Sequence, residues 1–263
     1  MFKWVAKKRK KLRRKRADRH LQLLDTFFPN SDNYWDYPKL AYSAANKFPE
    51  QIRQLLPEAR AVLSYSDLSD DEHLKNLFNK YGSDKSRHGY VPIYSQIFRS
   101  FEKRDLTLLE VGLGTNNPAL ISSMGSGGKP GASLRAFRDY LPEATIFGAD
   151  IDKDILFSED RIKTGWVDQT DLQSFHQLND KFGRREFDIV IDDGLHSTEA
   201  NMNTLLFWRA AAAPGGWMVI EDIPERTIHV WHTVVFLLRG AGHEAMIYKT
   251  VAGYVVVAQK RVP

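Results

Sequence analysis

The stretch Phe187-Asp188-Ile189-Val190-Ile191-Asp192-Asp193-Gly194-Leu195-His196-Ser197 joins a short apolar run to two carboxylates and an imidazole. The run has the length of a buried strand, and in an open parallel sheet ligands bind beyond the carboxyl ends of the strands. Acids and a histidine at that edge have the chemistry to hold a hard cation and to move a proton. The pattern partly recurs in Trp217-Met218-Val219-Ile220-Glu221-Asp222. Two strand ends that each deliver vicinal acids point to an enzyme rather than to surface decoration. Vicinal residues of a strand face opposite ways, so only one of Asp192 and Asp193 is expected in a cleft, and the sequence leaves open which. Glu221 and Asp222 pose the same question. The competing reading has these acids capping helices and bracing loops, and an isolated histidine such as His196 capping or packing.

Positioning these groups calls for a repeated strand-helix unit, and the chain supplies one from about residue 105. Strands are expected at Leu106–Val111, Thr145–Ala149, Gly165–Val167, Phe187–Ile191 and Trp217–Ile220, with helices near Ser133–Tyr140, Asp171–Phe182, Thr198–Ala212 and Thr227–Leu238. Pro214-Gly215-Gly216 is expected to end the third of these helices. Glu244–Tyr248 and Val251–Gln259 close the chain around a very short turn, so one of them should run antiparallel. The alternation predicts an α/β fold: a doubly wound, mostly parallel, seven-stranded Rossmann-like sheet with an antiparallel strand near the C-terminus. Before it, residues 21–80 read as helical and aromatic-rich, cut by Pro29, Pro38, Pro49 and Pro57, with helical spacing at Ile52–Leu56 and His73–Phe78.

The 263 residues hold no cysteine, which excludes disulfides, thiolate metal sites and a cysteine nucleophile. No apolar run approaches the roughly 18 residues of a membrane span. The net charge of +4 hides an asymmetry: residues 1–20 carry +10 and the remainder −6. The first reading of this basic tail is a solvated segment without a sharper role. An anionic membrane surface comes second, with Phe2 and Trp4 at headgroup depth. Nucleic acid comes third, because the acidic body would repel it. Cytoplasmic placement, peripheral at a membrane if the second reading holds, is the expectation.

The other half of the site begins at Glu110-Val111-Gly112-Leu113-Gly114-Thr115, where two glycines directly follow the first strand. Glycine there lets the backbone turn tightly and approach a ligand. Gly148-Ala149-Asp150-Ile151-Asp152 places an acid at the second strand end, where ribose hydroxyls are commonly gripped, and Asp168-Gln169 follows the third, placed to meet an adenine edge. Three successive strand ends in this order favour a nucleoside-bearing cofactor.

The Glu-Val-Gly-x-Gly-Thr turn and Gly148–Asp152 resemble a class I S-adenosylmethionine-dependent methyltransferase. More narrowly, Tyr81-Gly82-Ser83-Asp84-Lys85, Gly89-Tyr90, Tyr94, Gly131-Ala132-Ser133-Leu134-Arg135 and Ile191–His196 resemble the Mg2+-dependent macrolide-sugar O-methyltransferases and the related cephalosporin-hydroxylase-like group. The likeness spans about residues 80–225, and Asn116 stands where a third glycine is usual.

That resemblance implies S-adenosylmethionine held by Glu110, Gly112, Gly114, Ser133, Arg135, Asp150, Asp168, Gln169 and Tyr90. Within this set Gly112 and Gly114 would back the methionine moiety, Asp150 the ribose, Asp168 or Gln169 the adenine, and Ser133 and Arg135 the carboxylate. It implies Mg2+ on Asp192, Glu221 and Asp222, with Asp193 in reserve, and His196 as general base beside a catalytic Asp192. Residues 1–20 would be the tail, 21–100 a helical region whose Tyr81–Tyr94 segment folds over the cofactor as a lid, and 101–263 the methyltransferase domain. The implied acceptor is a sugar hydroxyl of a glycan, glycolipid or glycosylated metabolite, and a homo-oligomer is compatible with it. The alternatives are an RNA methyltransferase that uses the tail and a non-catalytic cofactor-binding subunit.

Overall fold

Apolar strands of alternating direction of burial build the sheet, in a structure (a computed structural model) that describes residues 62–101 and 105–262. The strands are β1 (Val62–Ser64), β2 (Thr107–Val111), β3 (Thr145–Asp150), β4 (Ser158–Glu159), β5 (Ile162–Trp166), β6 (Phe187–Asp192), β7 (Ala212–Ile223), β8 (Glu244–Lys249) and β9 (Tyr254–Gln259). They form one sheet in the order β1-β8-β9-β7-β6-β2-β3-β5-β4. The seven expected strands make its body, and β1 and β4 are short additions at its two edges. β9 runs antiparallel to both β7 and β8, β4 runs antiparallel to β5, and the other pairings are parallel.

Helices cover both faces because each strand buries side chains both ways. In β6, Val190 joins one core while Ile189 and Ile191 join the other. On the first face lie α5 (Leu172–Lys181), α6 (Thr198–Ala211) and α7 (Ile228–Gly240). On the second lie α1 (Glu72–Tyr81), α3 (Val91–Phe98) and α4 (Ala132–Tyr140), with the short α2 (Lys85–His88) between α1 and α3. Local chemistry sets their ends: Asp71, Asp171 and Ser197 cap the amide groups of Leu74, Gln173 and Ala200, and Gly82 ends α1 at φ +82°.

One strand differs in extent: α6 ends at Ala211 as expected, but β7 begins at once at Ala212 opposite Phe187, takes in Pro214–Gly216 and shifts register before Trp217. The backbone presses close here: a Cβ on Gly216 would stand 2.9 Å from the carbonyl oxygens of Ala213 and Phe187. The bulge therefore needs glycine, and the strand survives it. The expectations for the basic tail and for Ile52–Leu56 fall outside the described residues. Among the described residues no helix is long and apolar enough to cross a membrane.

Register determines what the sheet presents at its carboxyl edge. Val111 pairs with Ala149 and with Asp192, Asp192 with Ile220, and Asp150 with Trp166. The residues that follow these pairs, Gly112, Ile151, Val167, Asp193 and Glu221, thus emerge side by side. Chain order runs outward in opposite senses from β2, through β3 and β5 on one side and β6 and β7 on the other. That reversal is the switch point where open α/β sheets bind ligands.

Candidate active site

A cavity of about 470 Å³ opens at this edge, walled by the turns after β2, β3, β5, β6 and β7. Its first wall is the glycine turn. Gly112 has φ +97°, and a Cβ there would fall 2.0 Å from the Asp193 carbonyl oxygen, so the β2 and β6 turns touch through backbone alone. Asp150 locks this turn to β3: one carboxylate oxygen accepts from the Leu113 amide at 2.7 Å and the other from the Asp152 amide at 2.9 Å.

Of the residues expected at the cofactor, Gly112, Gly114, Ser133, Asp150, Asp168 and Gln169 line the cavity. Glu110 lies beneath it, fully buried, accepting from the Ser133 hydroxyl and 3.1 Å from the Lys85 ammonium. Burial pushes the Glu110 carboxyl up to about 7, against the pull of Lys85. Gln169 is committed to the protein: its amide donates to Asp192 at 2.8 Å and Thr204 at 3.0 Å, and its oxygen accepts from the Leu195 amide at 2.7 Å.

Two of the expected cofactor residues lie elsewhere. Arg135 points away from the cavity and forks onto Glu159, with a shortest contact of 2.7 Å, and over the Phe157 ring. It sits two residues beyond Ser133 on α4, which at 3.6 residues per turn places the two side chains on nearly opposite sides. Tyr90 is buried, and its hydroxyl donates to Asp222.

The acids separate by strand face. Asp192, the last residue of β6, is fully buried and faces α6, so it cannot reach the cavity. Burial raises its carboxyl above the ordinary carboxylate range, with Asn201, Thr204 and Gln169 drawing it back. Asp193, the next residue, faces the cavity. The trio expected at a cation, Asp192, Glu221 and Asp222, is therefore not the one brought together. Instead one ligand atom each of Asp193, His196 and Asp222 lies within 4.8 Å of the others. His196 Nε2 stands 3.9 Å from Asp193 Oδ1 and 3.8 Å from Asp222 Oδ2, while its buried Nδ1 has no hydrogen-bond partner. Glu221 also borders the cavity, but its two oxygens are engaged by Lys85 and by the Tyr94 hydroxyl. Burial holds its carboxyl well above the usual range, opposed by Lys85 and reinforced by Asp193 and Asp222.

The backbone marks the same spot. Among the described residues four other than glycine have positive φ, and two of them are His196 and Asp222, both at +54°. Such conformations gather at functional sites because surrounding structure must enforce them.

Sequence reasoning missed Lys85. It is 1% exposed, and its ammonium contacts Glu110, Asp193 and Glu221. Burial alone would strip its proton, yet the three carboxylates hold it well above an ordinary lysine. The available signal was charge: acids gathered at buried strand ends need a cation, and Lys85 closes a motif that otherwise gave it no task.

No family model matches the chain. It is 32% identical over 171 residues to the 8-demethyl-8-alpha-L-rhamnosyl tetracenomycin-C 2'-O-methyltransferase of Streptomyces olivaceus, covering 64% of this chain and 42% of that one. It is 31% identical over 153 residues to the mycinamicin VI 2''-O-methyltransferase of Micromonospora griseorubida, covering 57% and 36%. The chain thus spans about two fifths of the length of the curated relatives it matches. Among solved structures it is similar to the MycE methyltransferase of the mycinamicin pathway in complex with Mg, S-adenosylhomocysteine and mycinamicin VI. That match has a TM-score of 0.57 and 25% identity, and covers 72% of this chain and 55% of that one. The fold is that of a class I S-adenosylmethionine-dependent methyltransferase, and the chain resembles the sugar O-methyltransferases.

Proposed function

We propose that the chain is an S-adenosylmethionine-dependent O-methyltransferase acting on a sugar hydroxyl of a glycosylated metabolite, with a divalent cation in its site. The carrying observation is that a glycine turn with Asp150 and the Asp193–His196–Asp222 cluster border the same cavity. The relatives support the acceptor class, since those compared are named for methylating sugar positions of glycosides.

The donor set fits a hard cation. Oxygen atoms of Asp193 and Asp222 converge beside an imidazole, in a cluster with more carboxylates than cations. Magnesium favours oxygen over nitrogen, so Asp193 and Asp222 would hold it, with Glu221 adjoining, and His196 is left free for the proton. When bound, the cation supplies Lewis acidity toward the hydroxyl and the cofactor supplies an electrophilic methyl group.

The chain's own contributions follow from geometry. Gly112 and Gly114 let the backbone approach the cofactor, and Asp150, which lines the cavity, is the acceptor for the ribose hydroxyls. His196 Nε2 takes the hydroxyl proton, and Asp193 and Asp222 stabilise the imidazolium that results. The walls align the two reactants, which converts an encounter into a positioned transfer.

Calorimetry with S-adenosylhomocysteine, with and without Mg2+, followed by labelled-methyl transfer to a panel of free and metabolite-linked sugars, tests this reading. Binding plus cation-dependent labelling of a glycoside is expected. Failure to bind the cofactor under either condition would sink the proposal.

A further inference from the structure

One ten-residue segment reaches every acid of the proposed cation site. Lys85 donates to Asp193 Oδ2 at 2.7 Å and to Glu221, Tyr94 donates to the other Glu221 oxygen, and Tyr90 donates to Asp222 Oδ1. The choice of oxygens is what matters. The donors occupy Asp193 Oδ2 and Asp222 Oδ1, whereas the atoms nearest His196 Nε2 are Asp193 Oδ1 and Asp222 Oδ2, at 3.9 and 3.8 Å. Each carboxylate is pinned by one oxygen so that the other faces the common point.

Building on the methyltransferase reading, we propose that Tyr90 is a positioning residue for this cation site and not a cofactor contact. Asp222 needs such a partner more than Asp193 does. It lies within a register break in β7, sits at φ +54° and is a quarter exposed, and among the described residues the Tyr90 hydroxyl is the one hydrogen-bond partner that fixes the rotation of its carboxylate. Tyr90 can hold it because the tyrosine itself is fixed: it is 1% exposed, and its ring meets His88 edge-on at 5.6 Å. Its hydroxyl is committed to Asp222, and Tyr90 is absent from the cavity wall, although Ser83, Asp84 and His88 from the same stretch belong to it.

The test uses the full chain and Mn2+ as probe, its free concentration followed by electron paramagnetic resonance, with S-adenosylhomocysteine binding measured separately by calorimetry without metal. Tyr90→Phe removes one hydroxyl and no charge. It should weaken Mn2+ about three- to tenfold, the net worth of one typical hydrogen bond, and leave metal-free S-adenosylhomocysteine affinity within about twofold. Tyr254→Phe, which deletes a hydroxyl bound to Glu225 outside the site, should leave Mn2+ affinity unchanged. Wild-type Mn2+ affinity in Tyr90→Phe would overturn the proposal, as would a loss of metal-free S-adenosylhomocysteine affinity, which would make Tyr90 a cofactor contact. A wild-type chain that binds S-adenosylhomocysteine but no Mn2+ would overturn the positioning role and leave methyl transfer standing. Binding of neither would remove both readings.

Discussion

Replacing Lys85 by methionine gives the most direct check on the electrostatics of the site. The substitution keeps most of the buried stem and removes one ammonium from among Glu110, Asp193 and Glu221. At an effective dielectric of about 20, an ammonium-carboxylate contact near 3 Å is worth about 5 kcal/mol before desolvation is set against it. Three such contacts would exceed the stability of most domains, so desolvation must cancel the greater part. Removing one partner of a buried ion pair costs about 3–5 kcal/mol, because the remaining charge is stranded. With an m-value of about 2 kcal/mol per molar, the urea midpoint should fall by about 2 M. The deficit should also depend on pH. Without Lys85, the Glu110 and Glu221 carboxyls rise further above their unfolded value, so the folded variant holds protons that the unfolded chain has released. Its stability then increases as pH falls, and the gap to wild type should narrow from pH 8 to pH 5.5. Urea denaturation at both pH values reads both effects. A midpoint equal to wild type, or a gap that does not change with pH, would refute the view that Lys85 is the charged counter-ion of the buried acids around it.

The other expectations concern single roles. Glu110, pushed up to about 7 in the folded chain from 4.5, keeps its proton where the unfolded chain has lost it, so it disfavours folding as pH rises through that window. Glu110→Gln should flatten the stability-pH curve between pH 5 and 8 by about 2–3 kcal/mol, read from urea midpoints. His196→Ala should lower labelled-methyl transfer by about 10²–10⁴ while leaving S-adenosylhomocysteine affinity within about twofold; equal losses in both would remove its role as base. Asp193→Asn should weaken Mn2+ binding by at least about tenfold, whereas Asp192→Asn should keep Mn2+ affinity and change only the unfolding midpoint; the reverse pattern would return the ligand role to Asp192. Arg135→Ala should leave calorimetric S-adenosylhomocysteine affinity unchanged and cost about 1 kcal/mol of stability, since its pair with Glu159 is partly exposed to solvent.

The doubly wound sheet and the site's location were legible because they rest on local pattern: apolar runs of strand length, glycine and acids at their ends, and caps such as Ser197 before α6. What escaped depends on orientation or on distance along the chain. Asp192 and Asp193 are chemically identical neighbours, and only the register that pairs Asp192 with Val111 and Ile220 decides which one passes beyond the sheet. Ser133 and Arg135 share a motif, but the phase of α4 sends them to different sides. Lys85 meets Asp193 and Glu221 across 108 and 136 residues, and no local pattern announces a contact of that span. Pro214–Gly216 reads as a helix stop, yet the same residues admit the bulge that opens β7.

The strained residues show why the site needs both halves of the fold. A non-glycine residue at φ +54° costs about 1–3 kcal/mol and persists only where its surroundings enforce it. Asp222 lies between Ile220 and Ile223, which both pair with β9 across a register shift, so the strand clamps it from both sides. Gly253 allows that approach, since a Cβ there would stand 2.8 Å from the Ile223 carbonyl oxygen. His196 is held by a different device: the Leu195 amide is tied to Gln169 beyond β5, and Ser197 opens α6. The sheet thus bends two backbone segments toward one point, and the segment from Lys85 to Tyr94 then selects which carboxylate oxygens face it. Neither device alone would bring Asp193, His196 and Asp222 within reach of a single ion and a single proton.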